Sequence, residues 1–318
     1  MSSTVAKTMF RPEWIELGDG QRMHVEVGGR GAPLLILHGF TGSTRTVQDI
    51  AERLAPWHRT IRVDLAGHGL THVLSDAARF GMSGATADLA RVLDHVLPAP
   101  PRESDGIDGL WEVPDAHILG YSMGGRLALG LAAYHPERVR SLVLVGASPG
   151  IADAGERERR READAELAEL LLRDGITAFV DRWMRSDFFE TQREMGSADW
   201  EEKARAQRLD NQPLGLAMSL RAMGTGAQPP LHDRLPDIDV PVLLVVGDRD
   251  PKFVGIAEEM AAALPDARVE VLSGAGHAVH LEQPEVFAER VQAFLAECEM
   301  RDSRPEPVEP EAVGQSSG

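Results

Sequence analysis

The chain has 318 residues, 43% of them hydrophobic, and carries 50 acidic against 33 basic side chains for a formal charge of −17. That is apolar material for one large α/β core with an inserted subdomain, and the negative charge excludes nucleic acid and anionic membranes as partners while allowing an anionic small molecule met by locally gathered bases. The single Cys298 excludes an internal disulfide, no apolar run approaches the ~18 residues of a membrane span, and MSSTVAKTMFRP lacks the charged and apolar regions of a secretory signal, so the cytosol is the expected compartment.

Residues 1–12 are expected to be flexible. The runs at 14–17 and 23–27 flank Gly18-Asp19-Gly20 and predict a hairpin. Short apolar runs follow at 34–37, 61–63, 117–119, 142–145, 242–246 and 269–272, mostly separated by helix-like segments. Strands alternating with helices predict a mostly parallel sheet covered on both faces, here with eight strands and an antiparallel hairpin at its start. The core is assigned to residues 13–147 and 236–298. Segment 98–115, rich in Pro, Gly and Asp, reads as an exposed loop, and 299–318, with three Pro and three Glu beyond Arg301, as a disordered tail. Residues 148–235 hold no strand pattern but show helical spacing at 163–172, 176–184 and 213–223, which predicts a helical cap. Ligands of open α/β sheets bind beyond the carboxyl ends of the strands, and an insertion leaving that edge would roof the pocket.

After the fifth run stands GYSMGGR, residues 120–126, a serine between glycines at a strand-to-helix turn. Such an elbow raises the Ser122 hydroxyl at a helix N-terminus, where it needs a base to react. Along the chain the acid and histidine should follow on the loops after the next strands. GDRD and SGAGH occupy those loops, so Asp250 and His277 complete the set, with Asp248 as the rival acid. His38, His68 and His280 read as structural. An oxyanion hole is expected from two backbone N–H groups, that of Met123 after the serine and that of Phe40 in HGF. DLAGHG, residues 64–69, offers the triad no partner and reads as a pocket wall.

HGF, DLAGHG, GYSMGG, GDRD and GAGH in this order resemble the α/β-hydrolase superfamily over residues 14–297. The resemblance implies an α/β-hydrolase fold but leaves the reaction open among esterases, C–C hydrolases, lyases and receptors. A dehalogenase is disfavoured because its nucleophile would be an Asp where Ser122 stands. Arg126 narrows the choice. It lies one helical turn beyond Ser122, where a guanidinium is rarely buried without an anion, either a protein carboxylate or a substrate carboxylate. The cap adds ERERRRE at 156–162, most of which reads as a solvated helix face, and Arg208 before Asp210-Asn211-Gln212.

GYSMGGRLAL, PGI before the Arg-rich helix, Trp183 with Phe189, QRLDNQPLGLAMSLRAMGTGAQPPL and GDRDPKF are together similar to the 2-succinyl-6-hydroxy-2,4-cyclohexadiene-1-carboxylate synthases of menaquinone biosynthesis. The resemblance implies a lyase that eliminates pyruvate from a tricarboxylate, without added water, acyl-enzyme, cofactor or metal. Position by position it implies Ser122, Asp250 and His277 as triad, and Tyr121, Arg126, Arg160, Arg208 and Trp183 as substrate-binding residues, with Arg157 as fallback should the cap register differ by a turn. Ala66, where DLPGHG is usual, Thr71, where serine is common, and the long 98–115 loop depart from the family without touching this chemistry. The alternatives are a serine hydrolase of esters or C–C bonds in a carboxylated substrate and a ligand receptor on the same fold.

Overall fold

The computed structural model describes residues 8–18, 20–72, 76–97, 115–196 and 198–302. The 98–115 loop apart from Asp115, the tail beyond residue 302 and the first seven residues lie outside these. The eight predicted strands form one sheet in the order β1-β2-β4-β3-β5-β6-β7-β8. β1 (Arg11–Gly18) and β2 (Gln21–Gly29) make the hairpin, and β2 alone runs against its neighbours. β3 (Ala32–Leu37), β4 (His58–Val63), β5 (Ala116–Tyr121), β6 (Val139–Val145), β7 (Val242–Gly247) and β8 (Ala267–Leu272) pair in parallel.

Period-two alternation places the strand side chains on two cores. Leu35, Leu37, Ile61, Val63, Ile118, Leu142, Leu144 and Leu244 face α2 (Met82–Val96), α3 (Met123–Tyr134) and α8 (Pro251–Ala263). Leu34, Ile36, Leu119, Val143, Val145 and Val245 face α1 (Gln48–Leu54) and α10 (Pro284–Asp302), with the short α9 (Val279–Glu282) just before it. Each such side chain, wholly removed from water, contributes about 1.5–3 kcal/mol. Burial on both faces explains why the runs are continuously apolar.

Two sequence expectations are corrected at the ends. Arg11 and Pro12, expected to be flexible, pair with Val27 and Glu26 in β1, and the Phe10 ring lies 4.2 Å from the Arg62 guanidinium. The outer half of this edge strand is exposed, so it lacks the apolar alternation that would have revealed it. Residues 299–302, assigned to the tail, belong to α10, where Arg301 Nη1 donates to Asp266 Oδ2 at 2.6 Å.

Between β6 and β7 run α4 (Ala154–Trp183), α5 (Glu190–Met195), α6 (Ala198–Leu209) and α7 (Pro213–Met223). α4 joins two of the expected helices through a kink at Gly175, whose φ is +79°, and starts earlier than expected because Asp153 caps it by accepting from Glu156 N–H at 2.7 Å. The charged first turns hid that start, and the weakly amphipathic α5 and α6 gave no periodic signal. Ala168, Leu171, Phe179, Val180, Leu216, Ala217 and Leu220 form a third, smaller core within this helical cap. The cap is tied down by polar contacts: Asn211 Nδ2 donates to Thr41 O at 2.9 Å, and its Oδ1 accepts from Gly69 N–H at 2.9 Å. Gly67 and Gly215 meet backbone to backbone, where a Cβ on either would overlap the other's carbonyl. Among the described residues no helix is long and apolar enough to cross a membrane.

Candidate active site

Ser122 sits between β5 and α3 with φ +51° and ψ −109°, a conformation that side chains rarely adopt. Its N–H donates to Val145 O at 2.8 Å, and its carbonyl accepts from Arg126 N–H at 3.0 Å. The flanking glycines are compulsory. A Cβ on Gly120 would overlap Gly124 O, and one on Gly124 would overlap Leu37 O. The turn is therefore packed tightly on itself and against the end of β3.

His277 Nε2 lies 3.2 Å from Ser122 Oγ, and its Nδ1 lies 2.8 Å from Asp250 Oδ2. With Nδ1–H donating to the carboxylate, Nε2 keeps its lone pair for the serine O–H. Asp250 also caps α8, where its Oδ1 accepts from Phe253 N–H at 3.4 Å and Pro251 occupies the first helical position. The rival Asp248 is engaged elsewhere. Its Oδ2 accepts from Ser273 Oγ–H at 2.9 Å and its Oδ1 from Gly274 N–H at 2.7 Å. The imidazole is walled by aromatic rings, Phe253 at 4.6 Å, Phe188 at 4.9 Å and Tyr121 at 5.5 Å between centroids. Phe188 reaches it from the cap.

Met123 and Phe40 line the same cavity as Ser122, and among the described residues neither N–H donates to a backbone carbonyl. His38 braces the Phe40 loop: its Nδ1–H donates to Gly39 O at 2.8 Å, and its Nε2 accepts from Leu65 N–H at 3.1 Å. His68 and His280 are buried, and desolvation lowers each to a pKa of about 3. None of these three lines the cavity.

The cavity holds about 400 Å³, within the usual range for small-molecule sites. Tyr121, Arg126, Arg160, Trp183 and Arg208 all line it. Arg126, 8% exposed, donates through Nη1 to Met223 O at 2.8 Å and Gln228 Oε1 at 2.7 Å. Both acceptors are neutral, and among the described residues it has no salt-bridge partner. Burial, reinforced by nearby Arg160, lowers its pKa to about 10, so it remains a cation at neutral pH. Arg208, also 8% exposed, donates through Nη1 to Ala204 O at 2.8 Å and stacks 4.8 Å over Phe189. Its Nε and the Trp183 Nε1 are buried without a hydrogen-bond partner among the described residues. Arg160 differs: its side chain is 40% exposed, and Asp164 Oδ1 accepts from its Nε at 2.8 Å. Arg157 donates to Ile151 O and Ala152 O and does not line the cavity.

Several polar groups at the cavity were not singled out by the sequence. Gln228, behind the wall, accepts from Arg126 and Asp164 accepts from Arg160, while Lys252 adds a fourth cation from the core wall, against Asp153, Glu156 and Asp164 as lining carboxylates. Lys252 alone was within reach of reading, because it follows Asp250 by two residues on the first turn of α8. Among the described residues no cluster of three or more His, Cys, Asp or Glu could hold a metal ion. Arg126 and Arg208, buried and without a salt-bridge partner among the described residues, share this cavity with a hydrogen-bonded serine, an arrangement able to receive an anionic ligand.

Comparison with known proteins bears on the same cavity. The family model of the Alpha/beta hydrolase family matches residues 34–290. A Bacillus subtilis (strain 168) protein, named provisionally as a 2-succinyl-6-hydroxy-2,4-cyclohexadiene-1-carboxylate synthase, is 40% identical over 88% of this chain and 97% of its own. The Enterobacter sp. (strain 638) protein of that name is 32% identical over 82% of this chain and 91% of its own. Among solved structures, MenH from S. aureus superposes with a TM-score of 0.76 at 30% identity, covering 91% of this chain and 98% of that one. A thermophilic esterase from Thermogutta terrifontis, solved with malate bound, superposes at 0.72 with 26% identity, over 91% and 99% of the two chains. The chain therefore belongs to the α/β hydrolase family, and within it to the 2-succinyl-6-hydroxy-2,4-cyclohexadiene-1-carboxylate synthases.

Proposed function

We propose that this protein eliminates pyruvate from 2-succinyl-5-enolpyruvyl-6-hydroxy-3-cyclohexene-1-carboxylate to give 2-succinyl-6-hydroxy-2,4-cyclohexadiene-1-carboxylate, acting in the cytosol. The observation that carries this reading is the pairing of Ser122, hydrogen-bonded to His277 at 3.2 Å, with the guanidiniums of Arg126 and Arg208, buried in one cavity without a salt bridge among the described residues. A substrate with three carboxylates supplies the anions that those groups lack. Bidentate pairing would fix its orientation as well as its charge. Arg160 and Tyr121 complete the polar wall and Trp183 the apolar one.

In this reading Ser122 is a base. His277, aligned by Asp250, accepts the hydroxyl proton as Oγ takes the acidic ring proton next to the succinyl ketone. Negative charge moves onto the ketone oxygen, where Met123 N–H and Phe40 N–H receive it, each such donor contributing ~2.7–4 kcal/mol in comparable sites. Collapse of that enolate shifts the ring double bond and breaks the ring C–O bond. Pyruvate leaves as its enolate and takes up the proton held on His277. No water enters the balance, and the roof of Phe188 and Trp183 would keep it out.

The test is continuous detection of pyruvate on supplying the enolpyruvyl substrate, with rapid release expected. A second reading, a serine hydrolase of carboxylated esters, draws on the same Ser122–His277 contact. It would be favoured by a burst of nitrophenol from a p-nitrophenyl ester with no pyruvate from the first assay, and that result would overturn the lyase.

A further inference from the structure

The loop that carries His277 is fastened by a side chain that the reaction does not call on. Glu282, half-buried on α9, spreads its two carboxylate oxygens over the amides on either side of the histidine. Gly276 N–H donates to Oε2 at 2.5 Å, and Ala278 N–H donates to Oε1 at 3.2 Å. A carboxylate is the one neighbour able to do this. It offers acceptors at both ends, whereas an amide would turn an N–H₂ toward one of two N–H donors. Gly276 N–H and Ala278 N–H belong to the peptide groups on either side of the Gly276–His277 peptide, so holding both fixes the short stretch of backbone from which the His277 side chain projects. That stretch sets where the ring meets Asp250 at 2.8 Å and Ser122 at 3.2 Å.

Other ties hold the loop on the N-terminal side of the histidine. Gln283 Nε2 donates to Ser273 O at 2.6 Å, and Asp248 takes Ser273 and Gly274. Arg249 N–H donates to Ala275 O at 3.0 Å, joining the acid-bearing loop to the histidine loop. Of all these, only Glu282 accepts from the N–H groups of both residues next to the histidine.

We propose that Glu282 is a positioning residue for the reaction at Ser122, holding the backbone N–H groups of the residues before and after His277 so that the imidazole stays aligned between Asp250 and Ser122. The inference rests on the reading of His277 as the base that activates Ser122. It concerns alignment, so its effect falls on the rate of proton transfer and leaves substrate binding alone.

The experiment uses a fluorophosphonate probe on the full chain. Labelling forms the Oγ–P bond at Ser122, expels fluoride and passes the hydroxyl proton to His277, so its rate reads the serine–histidine pair without reference to the natural substrate. Glu282→Gln should slow labelling about tenfold or more, since misplacement of catalytic groups by a fraction of an ångström has costs of that order. In pyruvate release it should lower kcat by the same factor with KM unchanged. Glu282→Asp, which keeps the charge but withdraws it by one methylene, should also be slow. It serves as the test should the Gln variant fail to fold. Gln283→Ala, which loosens the same loop away from the histidine, should label at the wild-type rate.

Wild-type labelling by Glu282→Gln overturns the proposal. So does wild-type labelling by Glu282→Asp, which would make the effect one of charge, and so does slowing by Gln283→Ala equal to that of the Gln variant, which would make it general loop tethering. His277→Ala separates the two levels: unchanged labelling there removes the reading of His277 as base, whereas slow His277→Ala with fast Glu282→Gln removes only the role of Glu282.

Discussion

The sheet edge and the cap face each other across one cavity, yet they hold their functional groups by different means. On the edge, Ser122 comes from a turn packed against the end of β3, Asp250 and His277 come from loops packed on each other, and hydrogen bonds of 2.8 and 3.2 Å link the three. The cap holds Arg160 by a carboxylate one turn along its own helix and Arg208 by a carbonyl of its own helix and an aromatic face. Arg126 belongs to the core helix α3, but its guanidinium is held by Met223 and Gln228 at the far end of the cap. The difference teaches a division of labour. In the proposed reaction, the atoms that would exchange protons are fixed by backbone geometry, while the groups that would receive the substrate's charge hang on helices seated by a few polar contacts. An error on the edge should therefore cost rate, and an error in the cap should cost affinity.

The strongest break in this comparison is Ser122→Ala. Pyruvate release should fall by more than about a thousandfold with the fold intact, as removal of a triad member does elsewhere. A near wild-type rate would place the base elsewhere. Next comes Arg126→Ala, which removes a buried charge-assisted partner and should lower kcat/KM by about 10- to 100-fold, chiefly through KM. Arg126→Lys should rescue little, because a point charge cannot reproduce the fork. If KM were unchanged, Arg126 would have no part in anion recognition.

Asn211→Ala cuts the tie between cap and core at Thr41 and Gly69. Each hydrogen bond contributes about 0.5–1.5 kcal/mol, so a rise in KM of roughly three- to tenfold is expected with kcat nearly kept. A fall in kcat alone would show that the cap acts on the chemistry. Lys252→Ala should be milder still, about two- to fivefold in kcat/KM and shrinking as salt is added, because an exposed cation steers rather than locks.

Acid should sharpen the contrast through stability. Burial holds His68, His117 and His280 neutral down to about 3, whereas an exposed imidazole protonates below 6.5. Between those values the unfolded chain binds more protons than the folded one, so stability is present above about pH 6.5 and is lost as pH falls toward 3. All three lie in the core, and α4 to α7 contain no histidine. Hydrogen exchange at pH 5 against pH 7 should loosen the sheet strands more than the cap helices. Equal loosening would deny that these histidines carry the effect.

The edge was legible because its constraints are local. A G-x-S-x-G turn, an Asp capping a helix after a strand and a histidine between glycines each state their geometry within a few residues. Their order along a parallel sheet then brings them together. The strands could be read for the same reason, since burial on both faces makes each one a continuous apolar run. Where exposure broke that rule, at Arg11 and Pro12, the pattern failed, and the charged start of α4 hid in the same way. The partners of the arginines were decided only by the tertiary structure. Nothing near Arg126 in the chain indicates that Gln228 would hold it. Local sequence sets backbone shape, but which side chains share a cavity depends on how a kinked helical insertion settles on the sheet, and that is the sum of contacts from every part of the chain.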